Sequence, residues 1–267
     1  MEALTFIFMP YLCAVIFLLG VGFKVLVWIR TPVPLRIVTT PAPRTRWGVT
    51  WRLIGDLLWF PNLFKADKLL WGAGVLLHLG LWIVLLRHLR YFVYPVPAWL
   101  EGIQTLGLYA GYLLPVSLVL LLARRFLTDQ VLYISILGDY FALFLLLSIT
   151  ISGILLQLFF RTYVIDVKDM VLGLIHFQPR VPPAIPGVHW LFVVHLISVL
   201  ILLIYFPFGK LLHAGGLLFS PTRYQRANFE KPFVNPWDYP VAYNPENLST
   251  PEKYAEALRG TERGGKE

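Results

Sequence analysis

Five stretches of this chain are long and apolar enough to cross a bilayer: roughly Leu4–Trp28, Leu69–Leu86 with an extension to Tyr94, Gly102–Ala123, Tyr140–Phe160 and Val188–Gly209. A bilayer core takes about 20 apolar residues at roughly 1.5 Å rise each. Inside it every backbone N–H and C=O must be bonded within the chain, so continuous apolar runs of this length fold as helices. The expected fold class is all-α and integral to the membrane, a five-helix transmembrane bundle. Composition agrees, with 57% hydrophobic and only 14% charged residues over 267 positions, and no segment is large enough to fold alone as a soluble domain. Pro10, Pro115 and Pro207 fall inside or near the ends of these runs, where membrane helices tolerate a kink if the freed carbonyls find partners. The first run has no basic leader and no small-residue cleavage site behind it, so it reads as a retained span, with Lys24 close enough to its end to snorkel.

Basic residues orient such a bundle, because Lys and Arg stay on the cytoplasmic side. Eighteen of the 23 lie on one side: Lys24, the seven from Arg30 to Lys68, Arg124 and Arg125, and eight from Lys210 onward. Only Arg87, Arg90, Arg161, Lys168 and Arg180 lie on the other. The N-terminus is therefore expected outside and the C-terminus in the cytoplasm, as a multi-pass protein of the cytoplasmic (inner) membrane. The net charge of +8 is then topological, and no nucleic-acid partner is needed to account for it. Cys13 is the lone cysteine, which excludes an intramolecular disulfide, a covalent c-type haem attachment and an iron–sulfur cluster held by this chain alone.

Four histidines fall in the apolar runs: His78 and His88 ten residues apart in the second, and His195 and His213 eighteen apart in and just beyond the fifth. An ionisable side chain within a span is costly enough to mark function, and imidazole is a common iron ligand. The second run leads outward and the fifth inward, so the two are antiparallel. His78 is then level with His213 near the inner face and His88 with His195 near the outer face. Each level offers two imidazoles, enough to hold one non-covalent haem b, and two such haems would form a wire across the bilayer. Ten residues rise about 15 Å and eighteen about 27 Å on ideal helices, and eighteen is five whole turns, so His195 and His213 are expected on one face. A bend near Pro207 would reconcile the two rises. A single histidine in a span can equally be a hydrogen-bonding contact between helices or part of a proton relay, so a haem-free membrane anchor or proton-relaying transporter stands as the reading from another class. A dinuclear metal site has no intramembrane carboxylate to bridge it. Gly72, Gly74 and Gly80 would let a flat macrocycle approach the second helix. Arg87 and Arg90 flank His88 and are candidate partners for haem propionates, since guanidinium matches carboxylate geometry. His176 and His189 read as interfacial histidines of the outer loop.

These histidines at these spacings resemble the NarI-like cytochromes b, the gamma subunits of respiratory nitrate reductase. Leu120-Leu-Leu-Ala-Arg-Arg125 at the end of the third run and Pro207-Phe-Gly-Lys-Leu-Leu-His213 after the fifth carry the resemblance further, over about residues 1–220. It implies a five-helix, two-haem-b fold that exchanges electrons with quinone or quinol (menaquinone or ubiquinone) near the outer haem. The family's ligand pattern carries over as His88–His195 for the outer haem and His78–His213 for the inner. The family has a lysine near the start of the third helix that contributes to quinol binding. This chain reads Glu101-Gly-Ile-Gln104 there, leaving Glu101, Gln104 or Lys168 as the polar candidates.

Two cytoplasmic segments refine the division into a membrane domain, 1–213, and a tail, 214–267. The loop 30–68 places Trp47, Trp51, Ile54 and Leu58 at helical spacing among Arg46, Arg52 and Asp56, the pattern of a short helix lying in the headgroup region. The tail is polar, carries six prolines, and includes Ser220-Pro-Thr-Arg-Tyr-Gln-Arg226 and Asn235-Pro-Trp-Asp-Tyr-Pro-Val241. Its Phe229, Phe233, Trp237, Tyr239 and Tyr243 are unusual for a solvated segment and read as an extended arm laid on a partner. The tail resembles that of DsrM-type NarI-like subunits of DsrMKJOP complexes. That resemblance implies electron exchange with a cytoplasmic heterodisulfide-reductase-like iron–sulfur subunit (DsrK-like) in dissimilatory sulfur metabolism, alongside DsrP-, DsrJ- and DsrO-like subunits. Within the redox reading, a nitrate reductase gamma subunit proper is the alternative.

Overall fold

The computed structural model describes residues 3–31, 42–160, 164–179, 190–219 and 223–227. Helix α1 (Leu4–Arg30) opens on a π-helical turn, Leu4–Phe8. Two short helices follow, α2 (Arg46–Leu58) and α3 (Pro61–Ala66), and then the long α4 (Lys68–His88), which runs into a 3-10 turn over Leu89–Tyr91. The order continues with α5 (Ala98–Gly102), α6 (Gln104–Leu127), α7 (Asp129–Ile134), α8 (Leu137–Leu158), α9 (Val164–Ile175) and α10 (Trp190–Tyr205). A 3-10 turn over Lys210–Leu212 leads into α11 (His213–Phe219), and among the described residues there is no strand.

Helices α1, α4, α6 and α8 are each long and apolar enough to span a membrane, and α10 is equally apolar but 16 residues long within the described part. The expected start of the fifth run at Val188, and His189 beside it, lie outside the described residues. Packing runs α4 on α6, α6 on α8, α8 on α10 and α10 on α1, while α4 and α10 do not pack closely on each other. Few side chains are fully buried, as expected for helices whose outer faces meet lipid; Leu100, Leu114, Leu118, Ser117 and Cys13 are among them.

Local chemistry sets the ends of these helices. Asp67 caps α4 by accepting from Leu70 N–H at 3.0 Å, and Thr45 caps α2 by accepting from Gly48 N–H at 3.0 Å. In α2 the stripe read from sequence holds: Trp47, Trp51, Ile54 and Leu58 are all exposed, while Val49 and Leu53 are buried on the opposite face.

The structure departs from the sequence expectations in three places. First, α10 stops at Tyr205, and the chain turns through 206–209 before the 3-10 segment, so His195 and His213 share no continuous helix face. Pro207 brings no N–H to continue the ladder, and it is fully buried against α1, where a Cβ on Gly20 would come within 2.8 Å of its ring. Second, the outer loop contains α9, whose Met170 packs with Phe6 of α1 and Phe192 of α10. Tyr11 of α1 donates to Leu174 O at 2.8 Å, tying α9 down. Third, the tail does not begin extended at 214: α11 is helical and its Phe219 stacks on Trp28 of α1 at 6.2 Å. Residues 223–227 then double back onto the first cytoplasmic loop. Arg223 pairs with Asp56 at 3.0 Å, its carbonyl accepts from Arg52, and Ala227 N–H donates to Pro43 O at 3.0 Å. Residues 228–267, with the five aromatic residues singled out above, lie outside the described part.

The end of the molecule bearing Lys68, Arg124 and Lys210 is held by ion pairs. Asp139, almost fully buried, sits between Lys210 at 3.0 Å and Arg125 at 3.5 Å and also accepts from Ile136 N–H at 3.2 Å. Removing it leaves two cations facing each other and an uncapped α8. Asp139→Ala is expected to cost about 1–3 kcal/mol. Asp56→Ala, which frees a partly exposed arginine, should cost less than about 1 kcal/mol. Thermal unfolding of the detergent-solubilised chain measures both, and equal losses would assign the Asp139 cluster no special weight.

Candidate metal centre

Helix α4 carries His78 near its middle and His88 as its last residue. At the end bearing Lys210, the rings of His78 and His213 meet edge to face, with centroids 5.7 Å apart and planes at 88°. His78 Nδ1 lies 2.7 Å from Gly74 O, and His213 Nδ1 lies 3.1 Å from Lys210 O. A carbonyl only accepts, so each Nδ1 carries the proton and each Nε2 keeps its lone pair. The turn that presents His213 is fixed through Lys210, whose ammonium is bound by Asp139 of α8. On the other side of His78 is Phe60, with ring centroids 5.1 Å apart. Phe60 adopts a left-handed backbone conformation, φ 48°, a strained choice for an aromatic residue that turns the chain between α2 and α3.

At the opposite end, His88 Nδ1 lies 2.7 Å from Val84 O, and His195 Nδ1 lies 2.9 Å from Ser152 Oγ of α8. His88 and His195 are within electrostatic reach of each other. Gly153 faces the His195 ring, and a Cβ there would stand 3.2 Å from Cε1. Beside His88, Arg87 donates to Gln157 Oε1 at 3.1 Å and to Gln104 Oε1 at 3.4 Å, and Arg90 donates to the same Gln104 oxygen at 3.2 Å. Gln104 is fixed in turn by donating to Leu100 O at 2.9 Å. The Arg87 stem crosses α6 at Gly107, where a Cβ would come within 2.7 Å of it. Among the described residues no carboxylate pairs with Arg87 or Arg90.

Of the other polar candidates, Glu101 is exposed and Lys168 sits 4.8 Å over the Tyr94 ring. His176 is exposed and bonds Leu172 O through Nδ1 at 2.8 Å, and His189 lies outside the described residues. Among the described residues no three His, Cys, Asp or Glu side chains gather as for a protein-only metal site. What the fold offers are histidines in pairs, each with Nε2 free of hydrogen bonds among the described residues. They are drawn from two helices, α4 and α10 with its continuation, that do not pack closely on each other.

Comparison with known proteins decides the family. Residues 61–231 match the family model described as nitrate reductase gamma subunit. The chain belongs to that family. It is similar to the Hdr-like menaquinol oxidoreductase cytochrome b-like subunit of Archaeoglobus fulgidus, at 32% identity over 87% of this chain and 82% of that protein. The corresponding subunit of Archaeoglobus profundus is 32% identical over 89% of this chain and 84% of its own length. The chain is thus a NarI-like, multi-pass membrane cytochrome b. Its donor set fits a haem b: paired imidazoles with Nδ1 engaged and Nε2 open, one ring of each pair on α4 and the other on or just after α10.

Ser152, Gln157 and Asp139 were not singled out by sequence. A serine or glutamine in an apolar run reads as helix-packing polarity, and only the fold shows which histidine or arginine it meets. Gly153→Leu is expected to displace the His195 ring and lower the haem bound per chain. Gly22→Leu, at an open position of α1 where an added Cβ meets nothing within 4 Å, should leave it at the wild-type value. Haemochrome assay of the purified variants measures both, and equal haem contents would remove Gly153 from the site.

Proposed function

We propose that this chain is a five-span, two-haem-b electron carrier. On this reading it works between quinol or quinone at the outer side and a cytoplasmic iron–sulfur subunit at the inner side. The observation that carries the reading is the close approach of His78 and His213, ring centroids 5.7 Å apart, with Nδ1 of all four histidines hydrogen-bonded and Nε2 unbonded among the described residues. His88 and His195, within electrostatic reach of each other, are read as the second couple. Bound there, haem b supplies reversible one-electron redox chemistry. The protein residues hold and orient. Backbone carbonyls fix three of the imidazoles, and Asp139 steadies the turn that presents His213. Arg87 and Arg90, bridged by Gln104 and lacking an acid, are placed to receive propionates of the outer haem. About 15 Å of helix separates His78 from His88, a spacing that allows two cofactors at two depths.

The name of the relatives supports menaquinol as the membrane reductant. Tail resemblance points to a DsrK-like partner of heterodisulfide-reductase type in sulfur metabolism, with DsrP-, DsrJ- and DsrO-like subunits in the same complex. The inner ends of α4 and α11, the helix α2 and the folded-back residues 223–227 lie together at the face such a partner would meet. The fifth span is α10 together with residues before it, and the basic residues around the Asp139 end support N-terminus outside and C-terminus inside.

Reduced-minus-oxidised spectra with haemochrome quantification are expected to give two low-spin b haems per chain. His78→Ala or His213→Ala should remove one species, and His88→Ala or His195→Ala the other. A chain purified with no b haem overturns the reading, and a His78 variant that loses the same species as a His88 variant overturns the pairing. The co-purifying cytoplasmic subunit identifies the partner: an iron–sulfur subunit of heterodisulfide-reductase type is expected, whereas a molybdenum enzyme would assign the chain to nitrate respiration.

A further inference from the structure

Three of the four histidines give Nδ1 to a carbonyl of their own turn of chain, whereas His195 turns Nδ1 to another helix, α8, where it meets the Ser152 hydroxyl at 2.9 Å with the Ile149 carbonyl beside it. Ser152 is almost fully buried, and its hydroxyl has one proton and three neighbours. Ser148 O lies at 2.6 Å, Ile149 O at 3.1 Å and His195 Nδ1 at 2.9 Å. Carbonyls cannot donate, so the shortest of these contacts takes the serine proton. Toward His195 the oxygen is left as an acceptor. His195 therefore carries its proton on Nδ1, and its Nε2 lone pair is the one turned to a metal. The reverse arrangement, serine donating to Nδ1, would put the proton on Nε2 and disable the ligand. Gly153, next along α8, brings that helix close enough that a Cβ would stand 3.2 Å from the ring, so the hydroxyl and the flat backbone act on one imidazole together.

We infer that Ser152 is a positioning residue for the outer haem: it sets the tautomer and orientation of His195 and, through the strength of the Nδ1–H bond, the potential of the metal that His195 ligates. The inference rests on the haem reading above. An imidazole whose Nδ1–H is well accepted is a more basic ligand and favours the oxidised metal. Loss of the hydroxyl leaves Nδ1–H with the Ile149 carbonyl alone, a weaker acceptance that raises the potential at that site only, because His78, His88 and His213 are held by backbone that a side-chain change leaves in place.

Redox titration of the purified full chain, followed optically and by the ferric EPR signals, tests this. Ser152→Ala is expected to raise the midpoint potential of the haem that His195→Ala removes, and to leave the haem that His78→Ala removes unchanged. Ser152→Thr, which keeps a hydroxyl, should return the wild-type potential. Loss of the outer haem in Ser152→Ala with retention in Ser152→Thr also supports the role. An unmoved outer potential, an equal shift at both haems, or loss of haem in both variants overturns it. If the wild-type chain binds no haem b, the proposed function fails first; if it does and the potential stays put, only the role of Ser152 fails.

Discussion

An imidazole placed within apolar surroundings must find partners for both ring nitrogens, because no water is there to supply them. In this fold Nδ1 of each of the four histidines is satisfied by protein, and Nε2 has no hydrogen bond among the described residues. That division depends on the chain's own backbone for His78, His88 and His213, and on α8 for His195. The route α4–α6–α8–α10–α1 keeps α4 and α10 from packing closely on each other, while the turn after α10 brings the His213 ring to 5.7 Å from that of His78. Direct packing of α4 on α10 would close the space that a flat cofactor needs.

Much of this was legible in the sequence, because its strongest signals are physical constraints of the bilayer. Apolar runs marked α1, α4, α6 and α8 to within a few residues, and the period of Trp47, Trp51, Ile54 and Leu58 marked α2 and its exposed face. The antiparallel placement of the histidines followed from counting basic residues. Details that depend on tertiary contact were out of reach. Eighteen residues read as five helical turns, yet the chain breaks at 206–209, where Pro207 is buried against Gly20 of α1. Nothing local distinguishes a proline that kinks a span from one that ends it. The helix α9 did leave a signal, Val167, Met170, Val171 and Leu174 at helical spacing, but its buried face became meaningful only with Phe6 and Phe192 beside it.

The two ends of the bundle handle charge differently. All four ion pairs found among the described residues lie at the His78–His213 end: Asp67 with Arg124, Asp139 with Arg125 and Lys210, and Asp56 with Arg223. There the acids neutralise the cations that orient the chain, and they also tie α4 to α6, α6 and the His213 turn to α8, and the returning tail to α2. At the His88 end, Arg87 and Arg90 meet the amide oxygens of Gln104 and Gln157, and Arg90 the Tyr91 ring, but no carboxylate among the described residues. An amide fixes a guanidinium in place without cancelling its charge.

This asymmetry bears on how the two histidine pairs differ. A positive charge left uncancelled in a low-dielectric region stabilises added negative charge, whether a carboxylate or an electron, over a distance at which water would have screened it. Arg87 adjoins His88 in the chain, so the outer pair stands in such a field. Lys210 adjoins His213 almost as closely, but its ammonium is spent on Asp139. On the proposed two-haem reading, charge alone would bias the His88–His195 site toward holding an electron relative to the His78–His213 site. The Ser152 bond to His195 works in the opposite sense by making that ligand more basic. On the same two-haem reading, the balance of these two opposing influences would set the driving force between the levels.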